Sequence, residues 1–442
     1  MNSSLFKMKA PPVICLFFNW VLLQILTHFF PNLDFMGFAL IFLVMNYSAF
    51  LLVSFQEVLF KPIPTKWILL YLSTYFTSIV LMMVGTKISF EKPYVIFSHL
   101  GAGTLFDDDG VSLFGDLVHI TSAAKCDLPV QVGQNICDIW QRSFNQNPQV
   151  VDLFRILHLT NVFLVGVVST IAFLYGLYLL SWKLQIQNLA WVFFLASPPL
   201  ILALDRGNEI ITLLLIIPAI FLLRLNDKLI WVSTTLLSIA TFFKFWPILL
   251  LICLAIFSSR FRRHFLFATL IMGCYWTLRL ETLREMNRST MKGSLDGLSF
   301  GLKILSYTQY SFLVKLTMVG VAIFLVLAML KWFTQRDYIQ LRESLKSNDD
   351  YPYVVSIFLS YIVLWIATDS YIYRLILFIP VVILLTSSRI IHLAGAQKFL
   401  TLLLMVFYAS RSQVSWVFTA SLMLLLLVRV VRSFSRVPQS AE

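Results

Sequence analysis

Long apolar runs alternate with short polar segments along the whole chain. Runs of this kind are long enough to cross the roughly 30 Å hydrocarbon core of a bilayer. In hydrocarbon, every backbone N–H and C=O must be bonded within its own segment, so each run is predicted to be a helix. The predicted spans are 11–30, 36–57, 66–86, 154–181, 187–204, 209–224, 229–244, 246–259, 265–279, 311–333, 351–369, 372–388, 393–409 and 413–431.

This pattern predicts an all-α polytopic bundle of 13 or 14 spans, with residues 1–442 forming one unit. Runs 229–244 and 246–259 meet at Trp246-Pro247 and fit either a hairpin or one bent helix. Two polar segments, 87–153 and 280–310, are too long to be simple connectors. Their aromatic and apolar residues predict ordered loops that carry short helices along the membrane.

Composition supports the same class of protein. Hydrophobic residues make up 59% of the chain and charged residues 13%, with a mean hydropathy of +0.83. A soluble protein is about half apolar and a quarter charged. The run 11–30 lacks a small-residue cleavage site and is interpreted as a retained first span, not a signal peptide.

The net charge of +12 does not indicate a nucleic-acid partner, because the basic residues occupy short gaps between spans. Examples are Lys61 and Lys66, the group Arg260 to His264, and the group Arg429 to Arg436. Cationic loops of this kind lie on the cytoplasmic side of membrane proteins. A cytoplasmic N-terminus and fourteen crossings place these groups inside and the two long loops outside.

Polar residues from four parts of the chain are predicted to gather on the outer face. Asp116 and His119 lie in the first outer loop, and the other positions are Arg206, Asn208, Glu209, Lys244, Asp369, Tyr373 and Arg374. Each has a simpler interpretation. Asp116 and His119 fit a solvated loop, Arg206 and Lys244 fit interfacial anchors, and Arg374 fits a structural pair with Asp369. Convergence on one face favours a site, because ionisable groups at membrane depth usually face a cavity or each other.

Ten residues separate Cys126 from Cys137 in the first outer loop, and the two can form a disulfide if that face is oxidising. Two unpaired thiols are the alternative. The neighbouring carboxylates Asp107 to Asp109 fit a hydrated turn or a weak divalent-cation site, and no cofactor is required.

An acid and several cations around an outer cavity suit sugar transfer from a lipid phosphate. Arg and Lys hold phosphate and stabilise the charge that develops on it as it leaves. One carboxylate removes the proton from the acceptor hydroxyl. A polyprenyl donor also needs a site that is open to the bilayer.

Several short motifs occur in a characteristic order along the chain. They are the segments 114–126 and 137–145, Ser197-Pro198-Pro199, Arg206-Gly207-Asn208, Lys244-Phe-Trp-Pro247 and Tyr373-Arg374. Together they resemble motifs of the GT-C glycosyltransferases, in the group of polyprenol-phosphate-mannose-dependent mannosyltransferases and arabinofuranosyltransferases. The resemblance implies that Asp116 is the general base. It also implies that Arg206, Lys244 and Arg374 lie near the donor phosphate.

The sequence therefore predicts an inverting glycosyltransferase in a bacterial plasma membrane, with its active site facing outward. It would move a hexose such as mannose, or a pentose, from a polyprenyl-phosphate sugar to a hydroxyl of a lipid or glycan acceptor. A flippase or transporter for lipid-linked sugars and a polymerase or ligase of surface polysaccharide are the alternatives. A transporter predicts polar residues throughout the depth of the bundle.

Overall fold

The computed structural model describes residues 59–88, 114–126, 130–133, 146–289, 312–367, 372–408 and 412–434. These residues form helices joined by short connectors, and no strand occurs among them. The predicted all-α class is therefore confirmed for the described part of the chain. The predicted spans 11–30 and 36–57 lie outside it.

The α-helices are numbered in chain order. They are α1 Thr65–Ile88, α2 Gly115–Lys125, α3 Pro148–Ile156, α4 Val162–Lys183, α5 Leu189–Leu195, α6 Pro198–Arg206, α7 Asn208–Leu225, α8 Ile230–Phe243, α9 Pro247–Phe257, α10 Arg262–Thr277, α11 Leu280–Ser289, α12 Phe312–Trp332, α13 Gln335–Ser347, α14 Tyr351–Ala367, α15 Ile379–Thr386, α16 Ala394–Tyr408 and α17 Ser412–Phe434. A 3-10 helix, Ile372–Phe378, leads directly into α15.

Two helices, α4 and α12, are long and apolar enough to cross a membrane. Their most apolar stretches, Val162–Lys183 and Lys315–Trp332, are only 33% and 28% buried within the protein. Shorter apolar helices accompany them, among them α9, α14, α16 and much of α7 and α17.

Helices α8 and α9 form a hairpin and not one bent helix. Asp227, just before α8, forms an ion pair with Arg260, just after α9. A continuous helix would hold these residues tens of ångströms apart, because each helical residue advances the chain by about 1.5 Å. The chain reverses at Lys244 to Trp246, and Pro247 starts α9 at a position where a missing N–H costs nothing.

Three predicted spans have different bounds in the structure. The span predicted at 154–181 begins only at Val162, because α3 ends at Ile156 and His158 adopts a positive φ of 54°. The span predicted at 187–204 is divided into α5 and α6, because Pro198 and Pro199 start a new helix after Ser197. The first half of the span predicted at 372–388 is a 3-10 helix.

The helix termini gather at two opposite ends of the bundle. We call them the Lys244 end, where α8 ends, and the Arg260 end, where α9 ends. At the Arg260 end, the Ile63 N–H donates to the Gln187 carbonyl at 2.7 Å, so the start of α1 meets the link from α4 to α5. Arg260 also lies 3.9 Å from Asp349, in the connector between α13 and α14. Since the connected helices run in alternating directions, their other termini meet at the Lys244 end.

A buried polar network fixes α13 across the Arg260 end. Thr334 and Asp337 form a reciprocal capping box at the start of α13. Lys398 of α16 donates to the same Asp337 carboxylate at 2.8 Å. Burial acts to raise the pKa of Asp337, but the hydrogen bonds from Lys398 and Thr334 outweigh it and lower that pKa. Arg429 of α17 donates to the Leu330 and Phe333 carbonyls at the end of α12.

The Phe114 ring locks α2 onto the Lys244 end. Phe114 is fully buried and has a left-handed backbone, with φ 66°. Its ring packs against Gly166 of α4, where a Cβ atom would overlap it. The ring also lies against Gly207, where a Cβ would come within 3.1 Å. Gly207 has a φ of 76°, which favours glycine for a second, independent reason.

We predict that Gly166→Ala lowers the free energy of unfolding by about 1–3 kcal/mol, because overpacking displaces the Phe114 ring. The matched control is Gly176→Ala on the same helix, where a Cβ would meet nothing within 4 Å. This control is expected to be neutral or to stabilise by up to about 1 kcal/mol. Unfolding of the purified protein by SDS titration measures both values, and equal effects would contradict the proposed packing.

Candidate functional site

A buried ion pair marks the centre of the Lys244 end. Lys244 follows α8 as its C-cap residue and has an extended backbone, so the chain turns away from the helix at this position. Its Nζ lies 4.0 Å from Oε1 of Glu209, which is in the first turn of α7. Glu209 is only 3% exposed. The acid at a helix N-terminus and the cation at a helix C-terminus both suit the helix dipoles.

The turn from Arg206 to Glu209 is the common neighbour of the elements that carry the other candidate residues. Gly207 contacts Phe114 and Leu117 at the start of α2, where Asp116 lies in the first turn. Glu209 contacts Lys244. Helix α6, which ends at Arg206, packs along the 3-10 helix that carries Arg374. The four remote parts of the sequence are therefore brought to one end of the bundle.

Beside this turn lies a small cavity between α7, α9, α14 and the 3-10 helix. Its wall is apolar over almost its whole surface, and the lining residues include Leu213, Leu250, Leu377, Trp246 and Tyr361. Tyr361 is 1% exposed, and neither its hydroxyl nor Nε1 of Trp246 has a hydrogen-bond partner within the described residues. Buried polar atoms normally have such partners. The cavity has a volume of about 10 Å³, so it has room for at most one water molecule beside these atoms.

The Lys244 end carries three partly buried cations, Arg206, Lys244 and Arg374. The Arg374 guanidinium lies close enough to Tyr361 to interact electrostatically with its hydroxyl. Glu209, which is 3% exposed, is a buried carboxylate beside Lys244. Arg and Lys side chains at such positions can bind the phosphate of an anionic ligand.

Helices α2 and α3 are clamped over the same end by side-chain hydrogen bonds. The Arg155 guanidinium donates to the Cys126 carbonyl at 2.9 Å and to the carbonyls of Ala123 and Ala124 at 3.4 Å. Nδ2 of Asn147, which is fully buried, donates at 2.9 Å to the Phe242 carbonyl, two residues before Lys244. The described residues of the first polar segment thus include two short helices, α2 and α3, that pack onto the helix ends.

The sequence-predicted residues are described to different depths. For Asp116, Asn208 and Tyr373, the structure describes the backbone, and all three lie in helical segments at the Lys244 end. His119 is 6% exposed in α2, so it belongs to the packed part of this helix and not to a solvated loop. Cys126 is disulfide-bonded. Cys137, Asp369 and Asp107 to Asp109 lie outside the described residues, so the pairing of Cys126 with Cys137 stays a prediction.

No metal site is evident in the described part of the chain, where no three His, Cys, Asp or Glu residues are grouped for ligation.

Three residues that shape this site were not predicted from the sequence. In the sequence, Tyr361 and Trp246 look like ordinary aromatic residues of apolar segments. A buried Tyr hydroxyl usually has a hydrogen-bond partner, however, so Tyr361 could have indicated a polar contact inside the bundle. Phe114 could not be assigned, because its contacts with Gly166 and Gly207 span more than fifty residues of sequence.

Comparisons with protein family models, with curated proteins and with solved structures find no match for this chain.

We predict that Glu209→Gln lowers the free energy of unfolding by about 1–3 kcal/mol, because it removes the buried carboxylate that pairs with Lys244. The control is Glu285→Gln, which breaks the exposed pair with Arg288 at 3.6 Å. Exposed pairs contribute at most about 1 kcal/mol. Thermal or SDS unfolding compares the two variants. An equally small change in both would show that the buried pair contributes no more to stability than the exposed one.

Proposed function

We propose that this chain is a polytopic membrane glycosyltransferase of the GT-C type. It transfers a sugar from a polyprenyl-phosphate donor to a hydroxyl of a lipid or glycan acceptor. The observation that carries the proposal is the Arg206–Glu209 turn, which contacts the Asp116 helix, Lys244 and the helix bearing Arg374.

Membrane placement is supported by the apolar side chains that face outward. On α4, Leu164, Val168 and Tyr175 are each more than half exposed, and on α12 the same holds for Ile323, Phe324 and Leu327. A core helix of a soluble protein would bury such residues, whereas a lipid-facing helix presents them to hydrocarbon. The shorter apolar helices α9 and α14 carry similar outward-facing residues, such as Ile256 and Ile366.

Charge supports one orientation of the bundle. The Arg260 end carries the exposed residues Arg262 and Arg263 in the first turn of α10, where a cation opposes the helix dipole. Their position is explained by the tendency of cationic segments to remain on the cytoplasmic side. The Lys244 end then faces the outside, in agreement with the disulfide bond of Cys126.

The reaction follows from the charges at the Lys244 end. Arg206, Lys244 and Arg374 bind the donor phosphate and stabilise the charge that it gains. Asp116 removes the proton from the acceptor hydroxyl as its oxygen forms a bond to the anomeric carbon. The bond between that carbon and the phosphate oxygen breaks in the same displacement, so the anomeric configuration inverts and polyprenyl phosphate leaves.

The surrounding helices give each group a defined position. Asp116 begins α2, which Phe114 holds against the turn, and Arg155 fixes the far end of α2. Glu209 holds Lys244 and reduces repulsion among the three cations when no donor is bound. The Tyr361 hydroxyl and the Trp246 N–H, which have no hydrogen-bond partners within the described residues, adjoin a cavity with room for one water molecule.

We predict that Asp116→Asn lowers the transfer rate at least about 100-fold, because the isosteric amide cannot accept the proton. The assay incubates the purified full chain with radiolabelled polyprenyl-phosphate mannose or a pentose donor and a membrane-lipid extract. The control is Glu285→Gln, an acid-to-amide change that affects only an exposed i,i+3 pair with Arg288 among the described residues, and it should retain full activity.

Undiminished transfer by Asp116→Asn would remove the base assignment. Movement of the donor between leaflets with no new product would instead indicate transport.

A further inference from the structure

A second cavity, of about 200 Å³, lies at the Arg260 end, opposite the candidate site. Helices α13, α14, α16 and α17 contribute to its wall, and its lining is apolar over almost its whole surface. Val355, Phe358, Phe399 and Leu427 are among the lining residues. An apolar cavity of this size binds hydrocarbon in preference to water.

The shape of this cavity matches one hydrocarbon chain. Its lining residues on α14 run from Tyr351 to Ile362, a distance of about 16 Å at 1.5 Å per residue. Half of a bilayer core is about 15 Å thick. The cavity therefore extends along α14 by roughly the depth of one leaflet.

The mouth of the cavity is cationic. Arg342 of α13 is one of the lining residues, and the Lys346 ammonium lies 5.7 Å from the centroid of the Tyr351 ring, which also lines it. Both cations share one carboxylate, because Oε1 of Glu343 lies 2.7 Å from Arg342 Nη2 and 3.6 Å from Lys346 Nζ. The hydrogen bond from Arg342 lowers the pKa of Glu343, so these three side chains together carry one net positive charge at neutral pH.

We propose that this cavity binds one acyl chain of an anionic phospholipid, whose phosphate contacts Arg342 and Lys346. The lipid comes from the leaflet at the Arg260 end, where the surface of a bacterial or cytoplasmic membrane is negative. The proposal needs the membrane placement given above but not the transferase chemistry, because its phosphate contacts, Arg342 and Lys346, lie on α13 at the Arg260 end and the cavity shares no lining residue with the candidate site.

Native mass spectrometry of the purified full chain tests this site. The protein is titrated in detergent with dioleoyl phosphatidylglycerol or dioleoyl phosphatidylcholine, and the bound lipid is counted. The wild type should retain the anionic lipid at least about fivefold more than the zwitterionic one, since each basic side chain near a charged membrane contributes about 1 kcal/mol. Arg342→Gln should reduce this preference about fivefold.

A matched pair of tryptophan variants tests the place of binding. Val355→Trp fills the cavity and should lower the retention of both lipids about tenfold or more. Val363→Trp adds the same side chain on the same helix at an outward-facing position that is 43% exposed, and it should retain lipid as the wild type does. If Val355→Trp does not fold, Leu359→Phe replaces it, because this change fills less of the same cavity and should also lower lipid retention.

Equal retention by the cavity variants and the wild type would overturn the site, and so would equal retention of the two lipids. Loss of retention in Val363→Trp as well would assign the bound lipid to the outer surface of the bundle and also overturn the proposal. Lipid counting does not depend on sugar transfer, so a negative transfer assay leaves this test intact.

Discussion

The arrangement at the Lys244 end depends on one packing contact, the Phe114 ring between Gly166 and Gly207. Both glycines are needed, the first for space and the second for space and for its positive φ. This contact places the first turn of α2, with Asp116, against the turn that carries Arg206 and leads to Glu209. The Glu209–Lys244 pair and the packing of α6 on the 3-10 helix extend the arrangement to Lys244 and Arg374. A polar site built from four remote segments is thus held by apolar contacts.

Both ends of the bundle contain buried polar groups. At the Arg260 end, the capping box of α13 with Lys398 and the Arg429 bonds to the end of α12 are structural interactions, although Nδ1 of His264 and Nε of Arg429 have no hydrogen bond among the described residues. At the Lys244 end, the same holds for the Tyr361 hydroxyl, Nε1 of Trp246 and Oε2 of Glu209. Unsatisfied buried groups cost about 1–3 kcal/mol each, so a water molecule in the small cavity beside Tyr361 and Trp246 would be stabilising.

Hydrophobic patterning predicted the helices well, because an apolar helix has a clear signature in sequence. It could not predict their bounds where backbone chemistry decides them. Phe154 and Ile156 continue the apolar pattern of α4, yet they belong to α3, which is held across the helix ends by Asn147 and Arg155. The α8–α9 hairpin depends on the Asp227–Arg260 pair, a contact between residues 33 positions apart. The charged candidates followed from the expected topology, whereas Tyr361 and Trp246 needed the three-dimensional packing.

The central claim is that the Lys244 end and the Arg260 end lie on opposite sides of a membrane. Asp152 and Glu343 are exposed acids at the two ends, with side chains that are 61% and 53% exposed. Each is replaced by Cys in a chain whose Cys15, Cys253 and Cys274 are changed to Ser, and intact cells are treated with a membrane-impermeant maleimide. The account predicts labelling of the Asp152→Cys chain in intact cells and of the Glu343→Cys chain only after permeabilisation. Labelling of both from the same side would contradict it.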